Sequence, residues 1–243
     1  MQRKRYNAPK KKKSRWFGNL VLTLLLLVGL ALVFNQPIKN FIINYMGKQN
    51  QVNKLTADKI KANEKKDASF DFDGVNELDM ESVLKAGLDS KNLSQLGGIA
   101  IPSLDLNLPI FKGTSETALS AGAGTMKPDQ KMGEGNYALA SHRTYSEDLL
   151  FAPLKNIKIG ATIYLTDLEY VYTYKVVTKK YINPTDVDVI ENHGTKREVT
   201  LITCNLDGTQ RLLVQGDFVK GTPIKKASKK MIKAFDLKKK ALI

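Results

Sequence analysis

Residues 198–204 read EVTLITC and end on Cys204, the single cysteine of 243 residues. Arg211 follows seven positions on, across the loop NLDGTQ. A thiol does chemistry as the thiolate, and an ordinary cysteine, with a pKa of about 8.5, is only a few per cent ionised at neutral pH. A cation or imidazolium close by favours the thiolate. Side chains alternate faces along an extended strand, so Thr200, Ile202 and Cys204 share one face while Val199, Leu201 and Thr203 share the other. Asp207-Gly208 is a turn pair. A hairpin closing there without a bulge sets Cys204 and Arg211 opposite or diagonal. Directly opposite partners have Cβ atoms about 4.5–5.5 Å apart and project from one face. The guanidinium then lies near the sulfur, or near a carbonyl that the sulfur attacks.

Two histidines are available as a base. His142 ends NYALASH, an apolar strand-like run, and His193 sits in the polar turn ENHGTKRE. A catalytic base needs a packed scaffold to hold it, which favours His142; His193 reads as a solvated turn residue. Arg211 is the cation nearest the cysteine in sequence, and acyl transfer needs a group to stabilise the oxyanion. Each residue also has a plain structural reading: cysteine as a small core residue, histidine as a hydrogen-bonded strand end, arginine on a solvated face. One cysteine and two histidines cannot build a zinc site without carboxylates, so no metal site is expected. No phosphate-cradling glycine loop and no Gly-x-Ser-x-Gly elbow occurs.

The elements that must hold these residues are short strands. From about Leu93 the chain runs GGIAIPSL, LNLPIFKG, NYALASH, ATIYLTD, VYTYKVVTKKYI, EVTLITC and RLLVQGDFV, bounded by Gly, Pro, Asn and Asp. This pattern predicts a closed or sandwich-like antiparallel β architecture. SEDLLFAPLKN reads as a short helix or turn between strands.

The formal charge is +14, from 38 Lys and Arg against 24 Asp and Glu. Its distribution argues against nucleic-acid binding. Residues 1–16 hold eight basic residues and no acid, and residues 220–243 hold nine lysines and one acid. Residues 17–219 are close to neutral, with 21 basic and 23 acidic residues. From Trp16 to Phe34 no charge occurs, a length close to the roughly 20 residues of a bilayer-spanning helix. The apolar core exceeds that of a cleaved signal, and ALVFNQ is a poor cleavage site, so an uncleaved signal anchor is expected. Basic residues before the span put residues 1–15 in the cytoplasm and the remainder outside, on a single-pass membrane protein. The expected organisation is a basic cytoplasmic tail (1–16), a transmembrane anchor (17–34), a stalk or linker with some helix (35–80), a β-domain (81–220) and a basic C-terminal tail (221–243). Met231, Ile232, Phe235 and Leu237 have loosely helical spacing. They fit either an amphipathic helix lying on anionic lipid or a frayed soluble tail.

TLITC at residues 200–204 resembles the Thr-Leu-x-Thr-Cys signature of class A sortases. GAGTMKPDQKMGEGNYALASHR resembles the segment leading to the sortase histidine, and GGIAIPSLDLNLPIFKG resembles the start of the catalytic barrel. The order anchor, barrel, His, Cys, Arg is that of class A members, and the likeness, over about residues 70–220, is greatest to the streptococcal type. The resemblance implies an eight-stranded β-barrel with short helices. It also implies a membrane-anchored cysteine transpeptidase of Gram-positive bacteria. Such enzymes cut secreted proteins at a Leu-Pro-x-Thr-Gly sorting signal between Thr and Gly, through a thioacyl-enzyme, and pass the acyl group to an amine of lipid II. By motif, Cys204 is the nucleophile, His142 the general acid and base, and Arg211 holds substrate and stabilises the oxyanion. Thr203 assists the substrate, and Ala140 shapes the Leu-Pro groove. Many class A members carry a second histidine where this chain has Arg143. The acidic set that binds calcium in some members has no match here, so no cofactor and calcium independence are expected. The competing readings are a non-enzymatic, membrane-tethered β-domain that binds a surface partner, and a plain cysteine protease.

Overall fold

The computed structural model describes residues 15–71 and 78–237. Most of the basic N-terminal tail and the last lysines therefore lie outside the described residues. The chain divides into two compact units, Met1–Ile38 and Lys39–Ile243. In the first, helix α1 (Arg15–Val33) contains the stretch Trp16–Val33, with mean hydropathy 2.3 and no part of it buried against protein. A helix of that length and composition is a candidate membrane anchor.

The second unit is built on eight strands: β1 (Gln95–Ile101), β2 (Leu106–Phe111), β3 (Ala123–Thr125), β4 (Asn136–Ala140), β5 (Thr162–Thr166), β6 (Tyr170–Ile182), β7 (Glu198–Cys204) and β8 (Arg211–Pro223). They close into a barrel in the order β1-β2-β3-β4-β7-β8-β6-β5, and β5 pairs back onto β1. The core fills the barrel with branched and aromatic side chains, among them Ile99, Ile110, Tyr137, Leu139, Leu165, Tyr174, Leu201 and Leu212. Strands of this composition suit a pleated surface packed on its inner face. β7 is buried on both faces up to Thr203, which is why its sequence is nearly continuous in apolar residues and threonine rather than alternating with charge.

The barrel is not wholly antiparallel, as the strand pattern suggested. β2 pairs with β3, and β4 with β7, in parallel. A parallel pair requires a crossover connection instead of a tight hairpin. Six-residue helix α5 (Glu116–Ala121) supplies that crossover between β2 and β3. β3 itself has only Ala-Gly-Thr, in which threonine alone favours a strand. Gly124 is what seats it: a Cβ there would meet the Gly113 carbonyl oxygen at 2.3 Å. The Thr125 hydroxyl accepts a hydrogen bond from the Gly113 N–H at 2.9 Å.

Two tails differ from expectation. Residues 39–66 belong to the barrel body instead of forming a stalk. Helix α2 (Asn35–Gln49) buries Ile43 and Met46 in a cluster with Val83 and Ala86 of α4 (Met80–Asp89) and with Phe111 and Ala118. Helix α3 (Ala57–Glu64) buries Ile60, and its Asn63 side chain donates to the Gln95 carbonyl at 2.9 Å. At the other end, helix α6 (Lys229–Ala234) is capped by Ser228, whose hydroxyl accepts from the Met231 N–H. It carries Met231 onto the barrel, and Phe235 and Leu237 follow, packing beside Val52, Tyr164 and Val171. These apolar residues contact protein, so residues 224–237 neither fray nor offer an apolar face to lipid.

Candidate active site

Cys204 is the last residue of β7 and Arg211 the first of β8, and the two are directly opposite in the antiparallel register. The hairpin closes without a bulge because its six-residue loop is held from within. The Asn205 N–H donates to the Gln210 carbonyl at 3.0 Å, and the Gln210 N–H donates to Asn205 Oδ1 at 3.0 Å. Asp207 Oδ1 accepts from both the N–H and the hydroxyl of Thr209. Those bonds, the Thr209 hydroxyl's above all, hold the Asp207 carboxyl below its ordinary range. Gly208 takes φ of +72°, a left-handed conformation that glycine adopts without Cβ strain. The Arg211 Nη1 donates to the carbonyls of Gly208 at 2.9 Å and Gln210 at 3.3 Å. The loop thus fixes the arginine on the rim of the barrel.

The histidine arrives on the other flank of β7. β4 runs parallel to β7 with Ala140 beside Ile202. The Ser141 N–H continues that ladder, donating to the Ile202 carbonyl at 3.3 Å. His142 follows two residues after Ala140, just beyond the end of β4, as Cys204 follows two residues after Ile202 at the end of β7. A step of two residues along β7 from Ile202 keeps Cys204 on the outer face of the barrel. The Ser141 hydroxyl donates to the Gly122 carbonyl at 2.6 Å, locking the turn that carries His142. His142 is 7% exposed.

Ala140 lies on that same outer face, buried at the end of β4. Thr203 projects from the opposite face of β7 with Leu201 and Val199, towards the barrel interior. Its Oγ1 is buried and has no hydrogen-bond partner among the described residues. Beside Cys204 the outer face is apolar: Ile182, Ile202 and Leu213 form one cluster, with Met126, Val189 and Ile190 packed against it. Ile182 stands opposite Arg211 in the β6–β8 register.

His193 lies far from this group. It precedes the start of β7 while Cys204 ends it, a separation of roughly 20 Å along a seven-residue strand. It is more than a solvated turn residue, however. Its Nδ1 bonds Glu198 Oε1 at 2.6 Å, and Lys196 Nζ donates to Glu198 Oε2 at 2.7 Å. Glu198 is 1% exposed, and a buried carboxylate needs such partners. Sequence reasoning also passed over Glu116, whose Oε1 lies 3.0 Å from His142 Nε2. Glu116 lies 26 residues upstream, with no motif linking it to the histidine. The only hint was its place after Ser115, a helix N-cap residue.

A thiol that ends β7, a guanidinium that starts β8 and an imidazole two residues beyond β4 are the kinds of group suited to acyl transfer. The comparisons with known proteins agree with it. Residues 99–219 match the sortase domain family. The chain is 42% identical to sortase A of Streptococcus agalactiae over 238 residues, covering 94% of this chain and 96% of that one. It is 43% identical to sortase A of Listeria monocytogenes over 202 residues, covering 82% and 90%. The crystal structure of Listeria monocytogenes sortase A superposes with a TM-score of 0.55 at 44% identity, covering 59% of this chain and 99% of that one. The closed eight-stranded barrel and similarity along nearly the whole length place this chain in the sortase family, as a cysteine transpeptidase.

Proposed function

We propose that this transpeptidase cleaves secreted proteins at a Leu-Pro-x-Thr-Gly sorting signal, between Thr and Gly, and joins the new carboxyl end to an amine of the cell-wall precursor lipid II. The cross-strand pairing of Cys204 with Arg211, beside the strand that leads into His142, carries this reading. The Cys204 thiolate attacks the threonine carbonyl carbon, and Arg211 stabilises the charge that develops on oxygen. The C–N bond breaks, His142 gives its proton to the departing glycine amine, and a thioester remains. The incoming amine attacks the thioester, His142 takes the amine proton, and the thiolate leaves. Ala140 and the apolar cluster around Ile182 and Ile202 offer a wall for the Leu-Pro side chains. Thr203 contributes from the inner face of β7, behind the nucleophile.

Membrane anchoring through α1, with residues 1–15 in the cytoplasm and the barrel outside, places enzyme, substrate and lipid-linked amine on one surface. Such tethering raises their effective concentration. Calcium independence is part of the same reading, and equal rates with calcium and with a chelator are the expected result.

Mass spectrometry of the full chain in detergent micelles, incubated with a Leu-Pro-x-Thr-Gly peptide, tests the reading. An acyl adduct on Cys204 that lacks the glycine, and a ligated product when an oligoglycine amine is added, are the expected outcomes. Cleavage that gives only free acid whatever amine is present would make the chain a hydrolase. A Cys204→Ala chain that still ligates would remove the nucleophile from the scheme.

A further inference from the structure

Glu116 sits in the first turn of α5, next to the capping Ser115, whose hydroxyl accepts from the Ala118 N–H at 3.3 Å. Its Oε1 is 3.0 Å from His142 Nε2, and its Oε2 is buried with no partner among the described residues. The two side chains are 30% and 7% exposed, so water competes little for the imidazole end of this contact. A carboxylate can only accept, and therefore the ring donates from Nε2. In a neutral imidazole the hydrogen bond made by one nitrogen decides which nitrogen keeps the proton. That bond leaves Nδ1 with the lone pair.

We propose that Glu116 is the positioning residue of the catalytic histidine: it holds His142 in the Nε2–H tautomer and fixes the ring so that Nδ1 exchanges the proton with Cys204 and the amines. The inference rests on the role given to His142 above. Ser141 ties the histidine turn to Gly122 at the end of α5, and Glu116 grips the ring from the beginning of the same helix. One six-residue helix thus braces both the backbone and the ring. Glu116 reaches no substrate, because its work is done on the far side of the imidazole.

The test compares full-length wild type, Glu116→Ala, Glu116→Gln and His142→Ala in detergent micelles. Steady-state transpeptidation of a Leu-Pro-x-Thr-Gly peptide is measured beside nitrogen-15 NMR of the histidine rings, which number two in this chain. Glu116→Ala is expected to lower kcat by about ten- to a hundredfold, the range for losing a group that orients a functional histidine, with KM little changed. Its His142 signals should move from a single Nε2–H tautomer to a mixture. The Gln side-chain oxygen still accepts from Nε2–H, so Glu116→Gln should recover most of kcat and keep the tautomer. A Glu116→Ala chain with wild-type kcat and an unchanged tautomer overturns the inference. If Glu116→Ala fails to fold, Glu116→Gln decides: a folded Gln variant whose tautomer is mixed, or whose kcat is as low as that of His142→Ala, overturns it too. An active His142→Ala chain would instead overturn the catalytic reading of His142 itself, and with it the purpose assigned to Glu116.

Discussion

Arg211 is held by the same loop that sets its distance from the sulfur. Its guanidinium donates to two carbonyls of the hairpin that joins β7 to β8. Those bonds are solvent-exposed, and surface substitutions of this kind usually change stability by no more than about 0.5 kcal/mol. Loss of one oxyanion donor in acyl transfer costs on the order of 10²–10³ in kcat. Arg211→Ala is therefore expected to lose most of its turnover while its urea midpoint stays near that of wild type. A parallel fall in both would make the arginine a structural residue. The pairing of Cys204 with Arg211 was legible in the sequence, because a six-residue connection with Asp-Gly in it leaves few ways to close. Glu116 was not legible. Contact between residues 116 and 142 depends on a helix that crosses between two parallel strands, and no local spacing encodes it.

Among the elements, seven strands announced themselves through branched and aromatic residues bounded by turn formers. β3 did not, since in Ala-Gly-Thr only the threonine favours a strand, and a close approach of backbones places it instead. The parallel pairing of β4 with β7 was equally hidden, because register between distant segments leaves no periodic trace. The C-terminal helix shows a different limit. Met231, Phe235 and Leu237 have the spacing of an apolar stripe, and a stripe looks the same whether protein or lipid covers it. With Phe235 fully buried, Phe235→Ala is expected to cost about 3–5 kcal/mol, read as a lower denaturant midpoint. Lys230→Ala, on the exposed side of the same helix, should stay within about 0.5 kcal/mol. Equal, small effects of the two would mean that the helix is not docked in solution.

At the scale of the molecule, the barrel is sealed by tyrosines as well as aliphatic residues. Burial, first among the causes, raises the phenols of Tyr137, Tyr172 and Tyr174 above their ordinary range. Tyr172 also donates to Asp167 Oδ2 at 2.7 Å, which favours its neutral form further. A raised folded-state pKa favours the protonated phenol in the native chain. The stability it contributes is complete below about pH 10, the ordinary tyrosine value, and is lost as pH climbs beyond it towards the folded values. Alkaline unfolding is the expected result, with the phenolate absorbance of these three appearing together with loss of the near-ultraviolet circular dichroism. Phenolate formation that precedes unfolding would show the barrel interior open to hydroxide.

Because β4 and β7 are joined in parallel, with Ala140 beside Ile202, the segments that carry His142 and Cys204 come together only after everything between them has been folded out of the way. Contacts so distant along the chain form slowly, since their loop must close before it gains anything. A polypeptide still collapsing therefore carries its thiol with the segment of His142 elsewhere. Under the proposed mechanism, transpeptidase competence comes with barrel closure, so a half-folded copy is a poor enzyme by construction.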